Sequence, residues 1–166
     1  MSSVEAITWS ANWAWALPLI VLTVVIQVCG LAIINGQVVH VLSGATERRG
    51  FMPRFAVAMS VAVLMATLLL GVEAATWAAA YRLLGALPDN KLAMLYSLSA
   101  MTSYGHENLF LQPNWQLLGA LEALNGMLLF GLTTAFLFAM IQRVWPLGTT
   151  EWRLRSDGDP VLASRN

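Results

Sequence analysis

Three long apolar segments, separated by shorter polar stretches, dominate the pattern of this chain. They cover residues 17–42, 55–84 and 117–142. Each is longer than the ~20 residues that a helix needs to cross a hydrocarbon core ~30 Å thick. Because lipid cannot hydrogen-bond to an open backbone, each segment is predicted to be a transmembrane α-helix. The pattern therefore predicts an all-α integral membrane protein with three spans.

The residues before the first apolar segment are predicted to lie at the membrane surface. They carry Trp9, Trp13 and Trp15, and indole rings favour the depth of the lipid headgroups. They contain no basic residue, and the apolar run that follows exceeds the ~7–15 residues of a secretory signal. The first segment is therefore expected to remain in the chain as a span.

Basic side chains predict the orientation of the three spans. The residues before the first span hold none, and the connection 85–116 holds only Lys91. Cytoplasmic loops are enriched in Lys and Arg, so the first connection and the C-terminus are expected in the cytoplasm. The N-terminus and 85–116 are then expected outside. The remaining basic residues, apart from Arg82 at the end of the second span, are Arg48, Arg49, Arg54, Arg143, Arg153, Arg155 and Arg165.

Composition excludes several classes of protein. The chain is 58% hydrophobic and 11% charged, whereas soluble domains carry about 25% charged residues. Its net charge of zero provides no basic surface for nucleic acid. The single cysteine, Cys29, cannot form a disulfide within the chain and has no metal-binding neighbour in the sequence. No cofactor is expected.

The connection between the second and third spans contains a short apolar stretch and then a polar loop. Residues 91–103 favour a helix, with Asp89 or Asn90 as its N-cap, but they are too short to cross a bilayer. The loop "TSYGHEN" follows at 102–108. Periodicity leaves two interpretations open. The helix and loop enter the membrane and return, which requires an oligomer around them, or an amphipathic helix lies on the outer surface.

These residues resemble the pore module of the potassium-channel superfamily, in particular small bacterial channels with an additional N-terminal helix. The likeness covers 55–145 and is strongest over 95–139. In that family a pore helix with "YFS" leads to a T-T-x-G-Y-G-D filter, and a Trp precedes the inner helix. Here "LYSLSAM" leads to "TSYGHEN", and the most specific part of the match, "WQLLGALEALNGMLLFG", follows.

The resemblance implies a domain organisation and an assembly. Residues 1–54 would form the additional helix and a cytoplasmic loop, 55–145 the pore module with a re-entrant pore helix, and 146–166 a short cytoplasmic tail. The polar composition of 147–166, which contains "SDGDP", separately predicts that this tail is loosely ordered. It also implies a homotetramer in lipid, in a bacterial inner membrane, that conducts monovalent cations such as K⁺.

Carried over residue by residue, the match is good at the start of the filter and departs at its end. Thr102 and Ser103 take the place of the two threonines, Tyr104 the variable position and Gly105 the first glycine. The last three positions differ: His106 replaces the tyrosine, Glu107 the second glycine and Asn108 the aspartate.

The backbone of a potassium filter directs carbonyl groups at the ion, with transient cation sites expected here at 102–105. A non-glycine residue in the left-handed region costs roughly 1–2 kcal/mol. Either the outer mouth has an acidic ring from Glu107, or potassium selectivity is lost.

Two acidic residues and two glycines within the spans are further candidates. Ionisable groups inside a membrane are costly and suggest function. Glu122 belongs to the matching "LEA" run and is expected to support the loop, and Glu73 is expected to hydrogen-bond the pore helix from behind. Gly126 and Gly131 are candidates for hinges or for close packing.

Four functions remain in competition. The favoured one is a passive channel for monovalent cations, and the second is a non-conducting scaffold or regulatory subunit with a pore fold. A redox carrier is disfavoured because His40 and His106 fall on opposite membrane faces and cannot bind one haem together. No nucleophile–base pair suggests an enzyme. A proton-coupled exporter that uses Glu73 is the fourth.

Overall fold

Four α-helices and one 3₁₀ turn make up the part of the chain that the structure describes. This computed structural model describes residues 3–43, 51–105 and 110–157. The prediction of an all-α chain with three helices able to span a membrane is confirmed for these residues, since three stretches are long and apolar enough: Ile7–His40, Pro53–Leu83 and Pro113–Arg143. The helices are α1 (Ser3–Ser43), α2 (Phe51–Leu83), α3 (Asn90–Met101) and α4 (Gln116–Asp157), with the 3₁₀ turn at Pro113–Trp115.

The long helices extend beyond the predicted apolar segments. α1 begins at Ser3, so the tryptophan-rich stretch forms its first turns. α2 begins at Phe51, which places Arg54 in its first turn and not in the connection. The prediction of a loosely ordered tail is wrong as far as Asp157, where α4 ends. Good helix formers such as Glu151 and Arg153 allow the helix to continue past the apolar segment. Residues 158–166 lie outside the described residues.

α1 and α2 pack side by side in opposite directions through small side chains. Ala58, Ala62 and Ala66 of α2 lie in one buried cluster with Leu31, Ile34 and Val38 of α1, and Met140 of α4 completes it. Such small residues let helix backbones approach closely in a membrane. At Gly30 the approach is closest, because a Cβ there would collide with the Leu69 side chain.

α3 lies between α2 and α4, and a tight turn leads into it. Gly85 in this turn has a left-handed φ of 65°. Arg82 holds the turn by donating to the carbonyl oxygens of Leu87, at 3.1 Å, and Pro88, and to Asn90 Oδ1 at 2.6 Å. The N-cap of α3 is Asp89, one of the two predicted candidates, but its side chain makes no capping hydrogen bond. Hydrogen bonds from the Arg82 guanidinium, and not a capping bond from Asp89, therefore hold the turn that leads into α3.

Candidate functional site at the end of α3

The C-terminal end of α3 is closed by a Schellman motif. Thr102 is the C-cap, and Ser103 follows in the left-handed region with φ 56°. The Ser103 N–H donates to the Ala100 carbonyl at 3.3 Å, and the Tyr104 N–H donates to the Ser99 carbonyl at 3.1 Å. Glycine normally occupies the left-handed position of this motif. A serine there costs roughly 1–2 kcal/mol, so the surroundings of α3 hold this backbone in a strained form.

The predicted loop residues are brought together on the surface of the single chain. Thr102, Ser103, Tyr104 and Gly105 are all exposed, and Tyr104 keeps 84% of its surface accessible. Gly105 is left-handed like Ser103, with φ 73°. The other three predicted filter residues, His106, Glu107 and Asn108, lie outside the described residues.

Clefts open on two sides of this loop. One, of about 690 Å³, is formed by α2, α3 and α4 and is lined by Gly71, Met94 and Ser103 among others. The second, of about 600 Å³, is lined by Ser99, Gly105 and residues of α4. The described residues of the chain therefore do not enclose the exposed backbone at 102–105.

The end of α3 lies near the middle of the third candidate span. Gly126 of α4 packs directly against Met101, the last residue of α3: a Cβ on Gly126 would lie 2.6 Å from Met101 Cα. Gly126 is the fourteenth of the 31 residues in Pro113–Arg143. The chain then returns to Pro113, the first residue of that stretch. The polar turn after Met101 is thus level with the centre of an apolar helix.

A buried hydrogen-bond network fixes α3 between its neighbours. Glu122 of α4 is fully buried and accepts a hydrogen bond from the Tyr81 hydroxyl of α2 at 2.6 Å. Its other carboxylate oxygen contacts the Ser97 hydroxyl of α3. The Ser97 hydroxyl is also 2.7 Å from the Ala74 carbonyl oxygen of α2. The Glu122 carboxylate therefore links α2, α3 and α4 and fixes the position of α3 between its two neighbours.

Aromatic packing continues this network toward the start of α3. The Tyr96 ring meets the Tyr81 ring edge to face, with centroids 5.4 Å apart. Burial raises the pKa of the Tyr96 phenol to about 12, and the nearby Glu122 carboxylate contributes to the rise. The phenol stays protonated at neutral pH and lies against Gly119, where a Cβ would collide with its oxygen.

The two acidic residues predicted to support the loop occupy different environments. Glu122 bonds to α3, as described above. Glu73 is also fully buried, but neither of its carboxylate oxygens has a hydrogen-bond partner among the described residues. The hydrogen bond predicted from Glu73 to the short helix is therefore made by Glu122 instead. The two glutamates look alike in sequence, and only their rotational position on the helices separates them.

The two glycines of α4 also differ. Gly126 is a close-packing point because it meets the Met101 backbone. Gly131 is exposed, and a Cβ there would meet nothing within 4 Å. Packing therefore accounts for Gly126, whereas no contact of the described chain requires a glycine at position 131.

Sequence reasoning missed a line of polar contacts between α1 and α4. The Asn125 amide donates to the Thr23 hydroxyl at 2.9 Å, and the Gln27 amide donates to the Thr133 hydroxyl. Thr133 is buried in this contact, whereas its neighbour Thr134 is exposed. The available signal was the four-residue spacing of Thr23 and Gln27 inside an apolar helix, which places both on one face.

Asn12 near the start of α1 makes a further contact of this kind. Its side-chain oxygen accepts from the Leu118 N–H at 3.0 Å, and its side-chain nitrogen donates to the Asn114 carbonyl at 2.7 Å. Leu118 is the third residue of α4, and the first four N–H groups of a helix have no partner within it. A side chain of α1 therefore serves as the N-terminal cap of α4.

Comparison with known proteins identifies no relative. No protein-family model, no curated protein and no solved structure matches this chain. Within the described ranges, no group of three or more His, Cys, Asp or Glu side chains could hold a metal ion.

Proposed function

We propose that this chain is the subunit of an oligomeric, potassium-channel-like channel for monovalent cations. The observation that carries the proposal is the position of Met101 against Gly126. It places the exposed turn at 102–105 near the middle of a candidate span. Non-helical backbone at that depth is tolerated only where protein surrounds it or where it lines water. One copy of the chain leaves the turn open, so further copies, as a homotetramer, complete the enclosure.

The return path of the chain supports a re-entrant loop. From Pro113 to Gly126, the 3₁₀ turn and the start of α4 together cover about 20 Å at a rise of ~1.5 Å per residue. The eleven residues 102–112 reach up to about 36 Å when extended. They are long enough to return from the end of α3 to the start of α4. In this proposal α3 is the pore helix and 102–108 is the selectivity filter.

The direction of α3 favours cations. The C-terminal end of a helix carries about half of a negative elementary charge. α3 directs that end, at Met101, toward the middle of the span. Four copies around an axis would direct four such ends at one ion. Carbonyl groups of residues 102–105 would replace part of its hydration shell, and Glu107 would concentrate cations at the outer mouth.

The remaining helices take the roles that follow from this arrangement. α2 is the outer helix, α4 the inner helix, and α1 packs against both. The distribution of basic residues supports an orientation with the first connection and the C-terminus in the cytoplasm and the loop 102–112 toward the outside. The membrane proposed is a bacterial inner membrane.

A non-conducting scaffold with the same fold is the second candidate. Glu107 stands where the resembling filters have a glycine. Four carboxylates that meet at a narrow mouth repel one another, and a backbone that needs glycine is strained there. Such a subunit would assemble as a tetramer and pass no ions.

Ion flux in liposomes that contain the purified tetramer tests the proposal, with K⁺ and Na⁺ gradients applied separately. Cation flux above protein-free liposomes is expected. Gly105→Ala forces a side chain onto a left-handed backbone and is expected to reduce the flux strongly. Gly36→Ala is the matched control, because Gly36 lies in α1 with open space around it. Absence of flux from a verified tetramer favours the scaffold.

A further inference from the structure

Three buried side chains on three different helices carry oxygen atoms without a hydrogen-bond donor among the described residues. Both carboxylate oxygens of Glu73 in α2, Oε1 of Gln27 in α1 and Oδ1 of Asn125 in α4 are in this state. Glu73 and Gln27 are fully buried, and Asn125 is 1% exposed. Buried polar atoms in proteins almost always have a partner. Four unpartnered acceptors in one part of a membrane helix bundle therefore need an explanation.

The orientation of the two amides is determined by their threonine partners. The Thr23 hydroxyl donates to carbonyl oxygens of its own helix, at 2.9 Å to Leu19. The Thr133 hydroxyl likewise donates to the Leu129 carbonyl at 2.9 Å. Each hydroxyl has a single proton, so its oxygen can only accept from the amide. The NH₂ groups of Gln27 and Asn125 must then face the threonines, and their carbonyl oxygens must point elsewhere.

Glu73 lies level with these two amides. α1 and α2 are antiparallel, and Gly30 packs on Leu69. Because the two helices run in opposite directions, Glu73, four residues after Leu69, is level with Ile26, four residues before Gly30. Ile26 is the neighbour of Gln27 in the sequence. The bond between Thr23 and Asn125 brings Asn125 to the same level, within one turn.

Glu73 also lies on the face of α2 that contacts the other two helices. It follows Ala66 by seven residues, which is two helical turns. Ala66 belongs to the cluster that α2 forms with Leu31 of α1 and Met140 of α4. The carboxyl group of Glu73 and the two amide oxygens therefore share one seam between α1, α2 and α4.

Among the described residues, this seam has fewer unpartnered hydrogen-bond donors than acceptors. Trp77, one turn after Glu73 on α2, has the unpartnered buried N–H of the described residues. An ionised Glu73 leaves four acceptor oxygens for this one donor. A protonated Glu73 adds a donor and removes an acceptor, so two donors face three acceptors. A proton occupies no additional volume, whereas a hydrated metal ion would require a cavity.

We propose that Glu73 is a buried proton-binding site whose carboxylic acid form donates to the amide oxygen of Gln27 or Asn125 and so joins α2 to the α1–α4 pair. The site lies away from the proposed conduction path and does not depend on conduction. Its proton couples the packing of α1 to pH: deprotonation removes the donor that Glu73 offers to the two amides and leaves a carboxylate among carbonyl oxygens.

Other ionisable groups near the seam are accounted for. On α4 the nearest is Glu122, which is bonded to Tyr81 of α2 and to Ser97 of α3. On α1 the nearest is Cys29, whose side chain is exposed. Among the described residues, no basic side chain of the three helices lies at this level to neutralise an ionised Glu73; Arg54, Arg82 and Arg143 are at the ends of their spans.

Infrared spectroscopy of the purified protein in lipid tests the proposal through the carbonyl stretch of a protonated carboxylic acid. A band at neutral pH is expected, and Glu73→Gln is expected to remove a component of it that Glu122→Gln leaves in place. In Asn125→Leu and Gln27→Leu, which keep Glu73, the band is expected to shift toward the frequency of a weaker hydrogen bond in one of the two variants. A spectrum that Glu73→Gln leaves unchanged overturns the proposal, and so does a band that neither amide variant shifts.

Thermal unfolding in detergent provides an independent measurement. The native state would hold one more proton than the unfolded state above the usual titration range of a glutamate, so stability must fall as pH rises. The unfolding equilibrium constant of the wild type is expected to rise by up to tenfold per pH unit, and Glu73→Gln is expected to lack this component. Stability that instead increases with Na⁺ or K⁺ concentration at fixed pH, without the carboxylic acid band, assigns the site to a metal ion and overturns the proposal.

Discussion

The Tyr81 hydroxyl donates to the Glu122 carboxylate at 2.6 Å, and this bond joins α2 to α4 directly behind α3. Both side chains are fully buried. Because Glu122 also contacts Ser97 of α3, the position of the short helix depends on the same carboxylate. The network therefore supports the loop that follows α3, and this structural role does not depend on the proposed function of the loop.

Removal of the Tyr81 hydroxyl is expected to destabilise the chain. Tyr81→Phe keeps the ring and leaves a buried carboxylate oxygen without a donor, which typically costs about 1–3 kcal/mol. Thermal unfolding in detergent measures the loss. Ser60→Ala is the control, because the Ser60 hydroxyl of α2 is exposed and bonds within its own helix, to the Ala56 carbonyl, so its removal is expected to leave the melting temperature unchanged. Equal melting temperatures for wild type and Tyr81→Phe would contradict the role given to this bond.

The two glycines of α4 are expected to respond in opposite ways to alanine. In Gly126→Ala the new Cβ would lie 2.6 Å from Met101 Cα and 2.9 Å from its carbonyl oxygen, so α3 must move. Overpacking of this kind costs about 1–3 kcal/mol. In Gly131→Ala the side chain enters open space, and helix propensity favours alanine by up to ~1 kcal/mol. Melting temperatures of the two variants provide the test.

Ion flux separates packing from hinge motion at the same two positions. If Gly131 is a hinge of the proposed inner helix, Gly131→Ala lowers flux while the protein remains as stable as the wild type. A Gly126→Ala variant with the melting temperature of the wild type would contradict the conclusion that close packing of α3 on α4 at Met101 requires a glycine at position 126.

The cap that α1 provides for α4 is expected to be important for the assembly of the bundle. Asn12→Ala removes the acceptor for the Leu118 N–H and the donor to the Asn114 carbonyl. Loss of an N-cap costs about 0.5–2 kcal/mol, and a lower melting temperature is expected. Ser10→Ala is the matched control, since Ser10 is exposed and bonds only within α1, to the Ile7 carbonyl. A similar effect of both substitutions would rule out a specific role for Asn12.

The three long helices and α3 could be predicted from sequence because their signals are local. A run of apolar residues longer than ~20 is sufficient to identify a span. Residues 91–103 were predicted as a short helix from their apolar, helix-compatible composition, and Asn90–Met101 form one, although the Asp89 side chain makes no capping bond. The extension of α4 to Asp157 was not predicted, since the polar composition of 147–166 was interpreted as a loosely ordered tail.

The contacts between helices could not be predicted, because they depend on how each helix is rotated about its axis. Thr133 and Thr134 are adjacent and chemically identical, yet only Thr133 meets Gln27 of α1. Glu73 and Glu122 are each the single acidic residue of a candidate span, yet only Glu122 has a hydrogen bond to α3 among the described residues. Helices that are apolar on all sides carry little information about which side faces a neighbour.

The strongest prediction about the proposed filter concerns its departure from the family pattern at positions 106 and 107. The double substitution His106→Tyr with Glu107→Gly restores the residues that the resembling filters carry. In the proposed tetramer, a glycine at 107 would remove the cost of a side chain at a filter position that favours glycine, roughly 1–2 kcal/mol per subunit. It would also remove four carboxylates from the proposed outer mouth, where like charges resist joint ionisation. A backbone free of both constraints can direct its carbonyl groups at a dehydrated ion.

We therefore expect the double variant to be more selective for K⁺ over Na⁺ than the wild type, as measured by the reversal potential with K⁺ on one side and Na⁺ on the other. Glu107→Gln is the control that removes the charge and keeps the side chain. If the acidic ring only concentrates cations, this control lowers conductance at low salt, where charge effects are largest, and leaves the reversal potential unchanged. A double variant with the reversal potential of the wild type would mean that residues 106 and 107 do not occupy the filter positions assigned to them.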